Sequence, residues 1–171
     1  MSGPLCSLKH FLLKISNSSY TKKPIGTDWL LFVAVSSFSS YLFIMTPFNE
    51  TTENIKVSVR PLYIESESNV LSRKFVFAYF ITIENHGSDT VQLLRRHWYI
   101  THDTGKVEEV EGEGVIGKQP VIQPGKFHEY NSFCILESLE GFMEGTYLMK
   151  RSNNETFKIN IPRFILRAMA N

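Results

Sequence analysis

The chain has 171 residues, 43% of them hydrophobic, with thirteen Phe and seven Tyr; that length suits one core, and the aromatic supply suits sheets better than a helix bundle. The formal net charge is +1 from 18 Lys/Arg and 17 Asp/Glu. Four lysines and one aspartate precede Met45, so 14 bases face 16 acids in the remainder, and the clustered basic footprint of a nucleic-acid binder is missing from it.

Residues 1–44 form an extension outside the expected fold. They carry Lys9, Lys14, Lys22 and Lys23 ahead of an uncharged run from Trp29 to Met45, a pattern that imitates a signal anchor. A helix over that run reaches only about 25 Å, against a hydrocarbon core of about 30 Å, and Ser36, Ser37, Ser39 and Ser40 dilute its apolar character. Three readings stand: an N-terminal anchor through 29–45, a cleaved signal peptide with a poor cleavage site, and, preferred, a true start at Met45 with the domain spanning 45–171. Cys6 and Cys134 fall on opposite sides of this break. They cannot build a disulfide framework or a four-ligand zinc site, so a cytoplasmic location is expected.

From Ile55 onward the chain reads as strands. Ile55, Val57 and Val59 alternate with Lys56, Ser58 and Arg60, which predicts one buried and one wet face. Lys74 to Asn85 is apolar at both parities, the mark of a central strand. Asn85-His-Gly-Ser-Asp is a turn by composition, Thr90 to Thr101 the next strand, and Asp103-Thr-Gly leads into Lys106 to Glu111, which pairs with it as a hairpin. Gln123-Pro-Gly turns into Lys126 to Leu136, and Gly141 to Arg151 pairs with Thr156 to Pro162 across Ser152-Asn-Asn. Seven strands with no helical period predict an all-β, two-sheet antiparallel sandwich of the immunoglobulin or fibronectin type III kind, with Gly145-Thr-Tyr147 in the place of a tyrosine corner.

Several ordered blocks carry a resemblance: Phe77-Ala-Tyr, Val91-Gln-Leu-Leu-Arg-Arg-His-Trp, Gly112-Glu-Gly-Val-Ile-Gly with Gln119-Pro, Gln123-Pro-Gly, Glu144-Gly-Thr-Tyr and Phe157-Lys-Ile-Asn-Ile-Pro. In these the chain resembles the ApaG family, of the free-standing bacterial type. The resemblance implies a fibronectin type III-like sandwich acting as an interaction or ligand-recognition module, with no agreed reaction. It also implies, through gene neighbours and metal phenotypes of the family, a link to diadenosine polyphosphates and to cobalt or magnesium.

Two functional hypotheses follow. The first is a non-catalytic module that binds a protein partner through a sheet face or an exposed edge. The second is a binder of a small phosphorylated ligand, such as a diadenosine polyphosphate or pyrophosphate, at Gly112, Gly114, Gly117, Arg95 and His97, helped by Mg²⁺ or Co²⁺. Gly112 to Gly117 matches G-x-G-x-x-G, but Pro120, Pro124 and Gly125 prevent the helix that would complete a dinucleotide site, and Glu108, Glu109, Glu111 and Glu113 oppose a bare phosphate. Strand parity puts Arg95 and His97 on one face and Arg96 and Trp98 on the other, with Trp98 expected in the core. A metal cluster would need the fold to join His97, His128 and a glutamate, since His97 and His102 have opposite parity. Cys134, in Phe133-Cys-Ile-Leu, reads as a buried structural thiol. No catalytic residue, membrane partner or nucleic-acid partner is expected.

Overall fold

The structure is a computed structural model and describes residues 47–168. The expectations for the extension before Met45 and for Cys6 lie outside the described residues. Nine strands follow one another in chain order: β1 (Phe48–Thr52), β2 (Ile55–Tyr63), β3 (Phe75–Asn85), β4 (Val91–His102), β5 (Val107–Glu113), β6 (Val121–Ile122), β7 (Phe127–Leu136), β8 (Glu140–Arg151) and β9 (Thr156–Arg167). A single 3-10 turn at Glu65–Glu67 interrupts them. No helix of the described residues is long and apolar enough to cross a membrane.

The strands form two antiparallel sheets, ordered β1-β2-β3-β7 and β5-β4-β8-β9, with β6 on the β4 edge beside β5. Their inner faces supply one hydrophobic core, in which Val57, Phe77, Ile81 and Ile83 meet Leu93, Trp98, Tyr147, Ile159 and Phe164. Period-two alternation produces this arrangement, because each strand presents every second side chain to the facing sheet. Trp98 is the aromatic centre, with Tyr79, Tyr147 and Phe164 rings at 5.6, 6.3 and 6.0 Å.

Three features exceed the expected seven strands. β1 is polar in sequence and is held by a two-residue hairpin to β2, Thr52 pairing with Ile55 while Glu53 and Asn54 both take positive φ, the geometry of a type I′ turn. β6 is two residues long, too short for any periodicity to register. β9 continues through Pro162 to Arg167. It tolerates the proline because it is an edge strand and its pairing with β8 shifts register between Met143 and Gly145, which face Phe164 and Ile161.

Candidate functional site

β4 carries the candidate residues and is irregular where they begin. Val91 and Leu93 point into the core, yet so do Trp98 and Ile100, and residues of opposite parity share a face only if one is bulged out. The register shift between Leu93 and Arg95 is that bulge. Beyond it Arg95, His97 and Tyr99 stand on the outer face, and Arg96 lies on the inner side with Trp98.

The β4–β5 hairpin closes through a three-residue loop, Asp103 to Gly105, with Gly105 at φ +82 and backbone bonds from His102 N to Lys106 O and from Gly105 N to His102 O. That closure sets Thr101 opposite Val107, Tyr99 opposite Glu109 and His97 opposite Glu111. The imidazole of His97 therefore sits between two carboxylates. Nε2 contacts Glu109, Nδ1 lies 3.3 Å from Glu111, and the Tyr99 ring packs on the imidazole at 4.5 Å between centroids. Arg95 Nη2 stands 3.5 Å from the second oxygen of Glu111.

Across β4 and β8 the pairs Arg95 with Leu148 and His97 with Thr146 extend this surface, and β9 adds Lys158 opposite Leu148. Arg95, His97, Glu111, Thr146 and Lys158 line a small outer-face pocket of about 100 Å³. A wider depression of about 810 Å³ lies toward the β4–β5 turn, bounded by Phe48, His102, Glu140, Phe142, Arg163 and Ile165. Two of its charged groups are engaged: Glu140 takes a bidentate contact from Arg167, and the Arg163 guanidinium lies 3.5 Å over the Phe142 ring.

The glycine loop follows β5 and is organised around a cation of the protein's own. Arg96 Nη1 donates to the carbonyls of Glu113 at 3.1 Å and Gly114 at 2.8 Å. A Cβ on Gly112 would stand 2.8 Å from this guanidinium, and one on Gly114, whose φ is +56, would stand 2.1 Å from Lys118 O. Gly114 N donates to Leu94 O, and Val115 and Lys118 exchange backbone bonds around a tight turn at Ile116 and Gly117. The amides of Gly114 and Val115 are thus engaged within the protein, and the loop offers carbonyls to a guanidinium where a phosphate loop offers amides to an anion. Arg95 and His97 gather at the outer pocket; Gly112 lies against Arg96, and neither Gly114 nor Gly117 lines that pocket.

The other titratable candidates occupy separate places. Trp98 is 3% exposed. Cys134 is buried, and burial pushes its thiol up to about 12, so it stays protonated at neutral pH. His86 pairs with Glu84 at 3.3 Å. His102 is buried with Nε2 3.2 Å from Glu108 but out of line for a hydrogen bond. His128 is on β7 in the other sheet, and burial with the nearby Lys118 charge lowers its proton affinity. Histidine counting alone missed Glu109 and Glu111 as partners of His97, and parity alone missed Thr146 and Lys158, which arrive through pairing with β8 and β9.

Two antiparallel sheets around one aromatic core, with a charged outer face on the five-stranded sheet, define the class as an all-β sandwich with a surface site. Residues 65–151 match the family model described as the ApaG domain. Proteins named ApaG from Rhodospirillum centenum and Paramagnetospirillum magneticum are 46% and 47% identical over 119 residues, covering 70% of this chain and 92% of each relative. A crystal structure of the putative ApaA protein from Bordetella pertussis superposes with a TM-score of 0.65 at 38% identity, covering 72% of this chain and 96% of that one. The chain belongs to the ApaG family.

Proposed function

We propose that the domain is a non-catalytic recognition module that binds a protein partner on the outer face of the β1-β2-β3-β7 sheet. The observation that carries this reading is an apolar row on a face that ought to be polar. Leu62, Ala78 and Phe133 are direct cross-strand neighbours, and Val76 with Ile135 forms the next row; Ala78 and Val76 are buried at the centre, while the flanking Leu62 and Ile135 remain 44% and 43% exposed. β7 is the free edge of that sheet, so side chains and backbone are presented together, as in strand-mediated recognition. The reading is tested by affinity capture from the source cell with the wild-type chain and a Leu62→Glu/Ile135→Glu variant of unchanged melting temperature. A partner held by the wild type and lost by the variant supports it; equal retention by both rejects this face.

A second reading, a small phosphorylated ligand, is favoured by the outer-face pocket, where Arg95 and Lys158 bring two cations and Thr146 a hydroxyl to a space of about 100 Å³, a fit for one phosphoryl group held by forked and point charges. Thermal shifts with diadenosine polyphosphates, nucleoside triphosphates and pyrophosphate, with and without Mg²⁺ or Co²⁺, test it. A rise in melting temperature that Arg95→Gln and Lys158→Gln abolish supports this reading, and no rise with any of them removes it.

A further inference from the structure

We propose that His97, Glu109 and Glu111 form a binding site for a divalent transition-metal ion of the Zn²⁺ type on the β4–β5 hairpin. Among the described residues they are the one set of three His, Cys, Asp or Glu side chains whose donor atoms all lie within 4.8 Å of one another. The placement needs no chain movement. His97 and Glu111 are directly opposed in the ladder and Glu109 is the diagonal neighbour two residues along the same face. The Tyr99 ring fixes the plane of the imidazole.

The geometry supplies the first shell. A ring nitrogen of His97 and one carboxylate oxygen from each of Glu109 and Glu111 are the three donor atoms, an imidazole-and-carboxylate set of the kind transition metals accept. The pocket of about 100 Å³ opens over His97 and Glu111 and leaves room for the water or anion that completes a coordination shell built on three protein ligands.

The ligand types select the ion. One imidazole with two carboxylates suits Zn²⁺, Ni²⁺ or Fe²⁺, whereas Mg²⁺ prefers oxygen ligands and retains its water. Arg95, 3.5 Å from Glu111, is the internal competitor, so a bound metal frees its guanidinium to face the pocket. The inference deepens the phosphorylated-ligand reading by placing a cation beside that pocket, but its test uses the metal alone, so the two fail separately.

The test is a titration of the intact, chelator-treated chain with Zn²⁺ against a chromophoric competitor, in phosphate-free buffer at neutral pH. The expected result is one equivalent that His97→Gln and Glu109→Gln each weaken by at least about tenfold, that His102→Gln leaves in place, that Arg95→Gln tightens, and that millimolar Mg²⁺ does not displace. Circular-dichroism melting of each metal-free variant, matching the wild type, separates loss of ligand from loss of fold; the three side chains are on an outer face, and Glu109→Gln keeps the size of its side chain. Wild-type protein that takes up no Zn²⁺ at micromolar concentration overturns the proposal. So does binding that survives both ligand substitutions, or that Mg²⁺ displaces as readily as Zn²⁺ enters.

Discussion

At the scale of single residues, the interior is decided by how few polar groups enter it and by how each is satisfied. Tyr147 is buried and Tyr130 half-buried on the facing sheet, with their hydroxyls in mutual contact, and burial of the hydroxyl ends raises both phenols above their ordinary range. Replacing one hydroxyl leaves the other without that partner in an apolar setting, which costs about 1–3 kcal/mol, whereas removing both is nearly neutral. Urea denaturation of Tyr147→Phe, Tyr130→Phe and the double variant is expected to show the double more stable than the sum of the singles, with a favourable coupling of about 1 kcal/mol or more. Trp98, packed edge-on against Tyr147 and Phe164, sets the largest single burial; truncation to alanine is expected to cost about 3–5 kcal/mol, read from the shift of the same transition.

At the scale of elements, the β4–β5 hairpin and the loop after it show how sequence spacing becomes geometry. The three-residue closure at Asp103 to Gly105 makes every cross-strand pair a matter of counting outward from His102 and Lys106. His97 opposite Glu111 was therefore within reach of the sequence once the turn was recognised. The bulge at Leu94 was less legible: the parity conflict between Leu93 and Trp98 is visible in the sequence, but where the extra residue sits depends on the pairing with β8. The glycine motif was legible as a motif and carries a different chemistry, because Arg96 from the neighbouring strand occupies its carbonyls. Gly114→Ala is expected to destabilise by about 1–3 kcal/mol, from a residue forced to positive φ with its Cβ on Lys118 O. Gly117→Ala meets no atom within 4 Å and should cost less; comparative thermal melts decide the ranking.

At the scale of the whole molecule, the two sheets differ in what they expose. The four-stranded sheet keeps an apolar outer row, and the five-stranded sheet is crossed by charge pairs from Arg95–Glu111 to Arg167–Glu140. His128, on the β7 edge, carries the clearest pH dependence. Burial and the Lys118 charge lower its proton affinity in the fold. Below its ordinary value of about 6.5 the unfolded chain then binds the proton that the folded chain refuses. Stability should fall as pH drops through that value and level off below the folded one. Denaturant midpoints of wild type and His128→Gln at neutral and mildly acidic pH check the sign: the variant should lose less over that interval.

The sequence by itself determined that this is an all-β sandwich with β3 at the centre of a sheet, Trp98 and Cys134 inside, and the chain in the ApaG family. Those conclusions need only local alternation and ordered motifs, since burial on a strand follows from parity. The extra strands β1 and β6, the continuation of β9 through Pro162, and the meeting of His97 with Glu109 and Glu111 beside Thr146 and Lys158 belonged to the tertiary structure. Each depends on which strand lies next to which, and at what offset. No pattern within a single strand encodes that choice, because hydrogen bonding between sheets' neighbours is blind to side-chain identity and is selected by the packing of the two layers as a whole.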